Sequence, residues 1–230
     1  MDLLSATALY TASTWVIPVL LAITLHEAAH GFVAHRLGDD TAWLLGRVSF
    51  NPFKHIDPFG TIVLPALLLF LHAPFLFGYA KPVPVKFNAL RNPRHDMVLV
   101  AGAGPATNLL QAFAAALLIH IVGLLPEGLD RWTLANLRNA IAINVVLALF
   151  NMIPLPPFDG GRVAVGLLPD ALARPLAGLE RHEMLIIVGL LFILPMIGAQ
   201  LGVNLNLVGW LLGGPVDWVI GVILRLTGLA

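Results

Sequence analysis

Residues 24–31 read Thr24-Leu25-His26-Glu27-Ala28-Ala29-His30-Gly31. They sit inside an apolar run that begins near Trp15 and fades near Leu37. In a helix, two histidines four residues apart lie about 40° apart around the axis, so both imidazoles project from one face. Glu27, three residues before His30, places its carboxylate beside that face. This His-Glu-x-x-His arrangement supplies two zinc-binding imidazoles and one carboxylate suited to act as general base. The competing reading is an incidental cluster. Position weighs against it, because a charged side chain at the centre of a membrane helix costs roughly 3 kcal/mol on insertion scales.

The surrounding composition says which solvent that helix meets. Of 230 residues, 58% are hydrophobic and only 11% are charged, and the mean hydropathy is +0.87. A soluble domain of this size could not hide so much apolar surface, so the chain reads as a polytopic membrane protein in contact with a lipid bilayer. The formal net charge is zero, which leaves no electrostatic case for a nucleic-acid partner. Cysteine is absent. Any metal must therefore be held by His, Asp or Glu. The first residues, Met1-Asp2-Leu3-Leu4, lack the basic region of a cleavable signal peptide, and the first hydrophobic segment is expected to be retained.

Six apolar segments stand out, at about residues 9–37, 62–77, 97–125, 135–153, 184–197 and 205–226. A straight crossing needs about 20 residues. The second segment is short and interrupted by Pro65 and Pro74. The expected fold is an all-α membrane bundle of five to six transmembrane segments with a re-entrant or broken second segment. One domain spans 1–230, with a catalytic core over about 9–165 and C-terminal helices over about 183–228. Basic residues cluster on both sides of the second segment: Arg36, Arg47 and Lys54 before it, Lys81, Lys86, Arg91 and Arg94 after it. Both clusters are cytoplasmic if that segment enters and leaves by one face. This orientation puts the N-terminus outside and the C-terminus inside a cell membrane. It puts the histidines roughly 9 to 15 Å below the cytoplasmic boundary.

Further along, Val83, Val85 and Phe87 alternate between Lys81-Pro82 and Pro84. This predicts a small β-strand or hairpin near residues 78–88, confined to an edge because proline cannot donate to a ladder. It is either a surface hairpin or a place where an extended peptide is laid. Gly102 and Gly104 permit close helix packing, and Asn108 is expected to hydrogen-bond between helices. His120, in an apolar run, suits packing or a backbone hydrogen bond. The fourth segment ends in Asn151-Met152-Ile153-Pro154-Leu155-Pro156-Pro157-Phe158-Asp159-Gly160-Gly161-Arg162. Two histidines need a third protein ligand in a catalytic zinc site. Asp159 is the best-placed carboxylate, with Asp39, Asp40 and Asp57 as competitors, and spacing alone does not choose among them.

Taken together, His26-Glu27-Ala28-Ala29-His30, Gly104-Pro105-Ala106-Thr107-Asn108 and Asn151…Pro154…Pro156…Asp159-Gly160 resemble the site-2 protease family of intramembrane zinc metalloproteases. The likeness covers most of residues 15–165. It implies one Zn2+ ion held by His26, His30 and Asp159, Glu27 as the catalytic base, and Asn151 helping to bind substrate or an oxyanion. Lys54-His55-Ile56-Asp57-Pro58 and the stretch from Lys81 look like the compact subgroup without PDZ or CBS modules. The implied activity is hydrolysis of a peptide bond within or near a transmembrane segment of a membrane-protein substrate. A membrane zinc transporter and a non-catalytic scaffold are the alternatives. The oligomeric state is not encoded in any motif.

Overall fold

The computed structural model describes residues 5–70 and 78–230. The remainder of the expected second segment, residues 71–77 with Pro74, lies outside the described residues. The elements are α1 (Ala6–Arg36), α2 (Thr41–Leu44), α3 (Leu64–Phe70), α4 (Pro93–Ile119), α5 (Leu129–Asn151), α6 (Asp159–Leu167), α7 (Asp170–Ala177), α8 (Glu183–Val188), α9 (Leu194–Leu201) and α10 (Leu207–Leu226). Five helical stretches are long and apolar enough to cross a membrane: α1, α4, α5, α10 and the run Asp170–Leu201 that contains α7 to α9.

Helices α1, α4 and α5 pack on one another at the centre. Their buried positions are mostly small: Ala22, Ala28 and Ala34 on α1, Ala101, Ala112 and Ala116 on α4, Ala148 on α5. Lipid chains are as apolar as leucine, so these helices gain little by burying large side chains and associate through close backbone approach instead. Large apolar residues accordingly face outward, among them Val16, Leu21, Leu110 and Trp218. The interior holds polar groups: Asn108 and Asn144 rank among the largest fully buried side chains. One half of the bundle is closed by an apolar cluster of Ala112, Ala115, Ala116, Ile141, Val145 and Ile223.

The expected strand or hairpin near residues 78–88 is not formed, and no strand occurs among the described residues. The donors explain why. Pro82 and Pro84 have no N–H, the Val83 N–H is taken by the Glu27 carboxylate, and the Lys86 N–H by Asp39. Too few donors remain for a ladder. The alternation survives as extended backbone: Val83 is buried, Val85 and Phe87 pack against Ala34, Leu90 and Val100, and Lys81, Pro82 and Lys86 face out.

The C-terminal half corrects a second expectation. His120 Nε2, at the end of α4, donates to the Thr227 carbonyl just past α10 at 2.6 Å, the backbone partner expected for that histidine. Trp132 Nε1, in the first turn of α5, donates to Ser13 Oγ near the start of α1. Thus the start of α1 and the end of α10 lie at the same end of the bundle, not on opposite faces as an outside N-terminus and an inside C-terminus would require. Helix α10 carries a single acid and a single base, Asp217 and Arg225, so charge counting has almost nothing to act on there. Its direction follows from packing of Val216, Val219 and Ile223 onto α4 and α5. The ends of the second segment are also adjacent. Tyr79 N–H donates to Gly60 O at 3.1 Å and Lys81 N–H to His55 O at 2.9 Å.

Candidate metal centre

Helix α1 brings its two histidines to one face near the end opposite the apolar plug. His26 Nε2 and His30 Nε2 stand 3.0 Å apart. Asp159 arrives from α6. The chain leaves α5 at Asn151, turns through residues 152–158, and re-enters a helix with Asp159 in its first turn, where the helix dipole favours a carboxylate. That turn closes because residues 160 and 161 are glycines: a Cβ at either would collide with backbone of Met152, Leu155 or Pro156. Asp159 Oδ2 then lies 3.2 Å from His26 Nε2 and 3.3 Å from His30 Nε2. All three residues are at most 8% exposed.

The proton inventory of this cluster calls for a cation. His30 Nδ1 meets the Val100 carbonyl at 2.7 Å, and His26 Nδ1 meets Asn108 Oδ1 at 2.6 Å. Both oxygens only accept, so both rings carry their proton on Nδ1. In the neutral rings the two Nε2 lone pairs therefore face each other and the Asp159 oxygen, and that oxygen is buried without a hydrogen-bond donor. Three converging lone pairs repel unless a cation, either a metal ion or an added proton, sits among them, and the spacing selects between the two. Ligand atoms about 2.0–2.1 Å from a tetrahedral ion stand roughly 3.4 Å apart, close to the observed separations. The pocket is also cut to size: a Cβ at Gly104 on α4 would lie 2.5 Å from His30 Nε2 and 2.6 Å from His26 Nε2. Among the described residues this is the one group of three or more potential ligands that converges in this way.

The competing carboxylates are engaged elsewhere. Asp40 pairs with His35, and Asp57 Oδ1 accepts from the Phe59 and Gly60 N–H groups. Asp39 is 1% exposed and accepts from the N–H of Thr41 and of Lys86. Burial pushes its carboxyl up, but those hydrogen bonds and the Lys86 charge outweigh this and hold it below the ordinary aspartate value. Asp39 thereby ties the 81–87 stretch to the end of α1, a role its polar, surface-like sequence surroundings concealed.

A cavity of about 470 Å³ opens on the cluster, and Glu27 and Asn151 both line it. Glu27 Oε2 accepts from the Val83 N–H at 2.7 Å. Asn151 Nδ2 donates to the Leu147 carbonyl at 3.0 Å, which leaves its second N–H and its oxygen for the cavity. The walls are the extended stretch around Pro82, Val83 and Val85 on one side, Met184 and Ile187 on another. A smaller adjoining space of about 260 Å³ continues past Tyr79 and Asn151 to Ile23 and Leu191.

Comparison with known proteins places this geometry. The model of peptidase family M50 matches residues 129–196. "Putative zinc metalloprotease YwhC" of Bacillus subtilis (strain 168) is 39% identical over 189 residues, 79% of this chain and 80% of that protein. This chain belongs to peptidase family M50, the site-2 protease family. "Putative zinc metalloprotease Rip2" of Mycolicibacterium smegmatis is 28% identical over 173 residues, 75% of this chain and 64% of that protein. No solved structure matches. Zinc is the metal of the M50 family, and the buried His26, His30 and Asp159 group has the size and donor set to hold one such ion.

Proposed function

We propose that this M50 protein cleaves a peptide bond within or beside a transmembrane segment of a membrane-protein substrate. Zinc is held by His26, His30 and Asp159, Glu27 is the general base, and Asn151 binds the reacting carbonyl. The observation that carries the reading is the convergence of three ligand atoms from α1 and α6 on the floor of a cavity that also holds Glu27 and Asn151. Zinc bound there activates water at neutral pH and polarises a carbonyl. Glu27 takes the proton of the attacking water and delivers it to the leaving amine. The Val83 N–H fixes one carboxylate oxygen of Glu27 and leaves the other for that proton. Asn151 offers its remaining N–H to the oxygen on which charge develops. A helical peptide bond is shielded by its own hydrogen bonds, so the substrate unwinds locally, and the cleft between residues 79–87 and α8 suits an extended chain.

Sidedness follows from charge. All of the thirteen Lys and Arg except Arg131, Arg138 and Arg225 lie on the part of the chain that surrounds the metal end, which makes that end cytoplasmic. The adjacency of residues 55–61 and 79–81 supports a second segment that enters and leaves by this face. A zinc transporter would need a polar path through the opposite half, where Ala112, Ala115, Ala116 and Ile141 are packed instead.

The test is cleavage of a model transmembrane peptide by the detergent-purified protein. Cleavage is expected to stop on chelation. Glu27→Gln is expected to keep zinc while losing about 10²- to 10⁴-fold in rate. Wild-type cleavage by Glu27→Gln, or cleavage indifferent to chelator, overturns the assignment.

A further inference from the structure

Behind His26 lies a chain of buried amides that none of the catalytic roles above requires. Asn108 on α4 is 0% exposed and Asn144 on α5 is 2% exposed. Asn108 Nδ2 donates to the Ala22 carbonyl of α1 at 3.1 Å and to Asn144 Oδ1 at 2.7 Å. Asn144 Nδ2 donates to the Ala140 carbonyl of its own helix at 2.9 Å. Asn108 Oδ1 faces His26 Nδ1 at 2.6 Å.

The orientation of every amide in this chain is forced. A backbone carbonyl only accepts, so the atom of Asn144 that faces Ala140 O is its nitrogen. Its oxygen therefore faces Asn108 and demands a nitrogen there. Ala22 O makes the same demand on the same Asn108 nitrogen, which has two protons and uses both. The Asn108 oxygen is left for His26, and it selects the tautomer with the proton on Nδ1 and the lone pair on Nε2. A flipped Asn108 would set oxygen against oxygen at two buried contacts and leave both acceptors without a donor.

We propose that Asn144 is a positioning residue for the metal centre. Through Asn108 it holds His26 in the ligating tautomer and at a fixed ring angle. The proposal rests on the metal-site reading above and adds residues from two helices, α4 and α5, that contribute no ligand. It also explains why a third membrane helix carries a buried amide where leucine would pack at lower cost. Partners of this kind on a ligating histidine are typically worth about 10- to 100-fold in metal affinity.

The experiment is zinc affinity by chelator competition on the detergent-purified full-length protein, with thermal unfolding of the zinc-free form measured alongside. Asn108→Leu is expected to weaken zinc about 10- to 100-fold. Asn144→Leu is expected to weaken it at the lower end of that range without touching any ligand. Asn108→Asp, which still accepts from Nδ1, is expected to retain more affinity than Asn108→Leu. The control is Asn139→Leu. Asn139 bridges the same α1–α5 pair through the Thr14 carbonyl but stands outside the relay, so zinc affinity is expected to stay within about twofold whatever happens to the melting temperature. In ¹⁵N-histidine spectra of the zinc-free protein, His26 is expected to be Nδ1-protonated in the wild type and mixed in Asn144→Leu. Wild-type affinity in Asn144→Leu overturns the relay alone. Equal weakening by Asn139→Leu also overturns it, since loosening the helix pair would then suffice. A wild-type protein that binds no zinc overturns the metal centre itself.

Discussion

Gly104→Ala is a one-carbon change whose effect on zinc can be worked out from distances. The added Cβ would sit 2.5 Å from His30 Nε2 and 2.6 Å from His26 Nε2, and ordinary contact begins at 3.4 Å. The rings must therefore retreat by about 0.9 Å, against a tolerance of roughly 0.2 Å in ligand distance at a metal site. Helix α4 cannot yield in their place, because the same helix supplies Val100 O and Asn108 Oδ1, which hold the two rings. Overpacking of this size costs about 1–3 kcal/mol, or roughly 5- to 150-fold in zinc affinity. Alanine in place of glycine meanwhile strengthens the helix by about 1 kcal/mol. The signature is thus a zinc-free form that holds or gains stability while zinc binding falls. Gly102→Ala, two residues away with nothing within 4 Å of its Cβ, is expected to show the helix gain without the zinc loss. Chelator competition and thermal unfolding in detergent measure both quantities. If Gly104→Ala binds zinc within twofold of wild type, the two histidines are not the ligands in this arrangement.

Two further outcomes are expected. Asp39→Asn leaves one of the two N–H groups on Asp39 facing an amide nitrogen, and is expected to lower stability at pH 7 by about 1.5–3 kcal/mol. Since the folded-state pKa of Asp39 lies below its unfolded value of about 3.8, the wild-type advantage is full above that pH and is lost progressively as pH falls from there through the folded-state value; the melting temperatures of the two proteins should draw together as pH is lowered below 3.8, and a constant difference throughout the acid range would remove the clamp. Zinc that binds only the folded cluster stabilises it by mass action, so the melting temperature is expected to drop on EDTA treatment and recover with added Zn2+, whereas Asp159→Ala should show no response to either.

Sequence pattern alone carried the apolar helices, the paired imidazoles and Glu27, because these depend on neighbours four or fewer residues apart on one helix. It also marked Asp159 as the best candidate third ligand, though spacing left Asp39, Asp40 and Asp57 open. The strand expected near residues 78–88 failed for a reason invisible in that stretch: Val83 and Lys86 give their N–H groups to Glu27 and Asp39, residues about 50 positions earlier. Asn144 went unnoticed, although an amide in the middle of a membrane helix has to find a partner and could have been flagged on that ground alone.

What this chain's residue order determined by itself was the solvent it lives in and the chemistry it carries, since hydropathy and helical spacing are local properties. What only the tertiary structure decided was which carboxylate meets the histidines, which way α10 runs, and which tautomer each imidazole holds. Those outcomes depend on a few buried polar atoms, each with one possible partner, brought together from α1, α4, α5 and α6 across more than a hundred residues of chain.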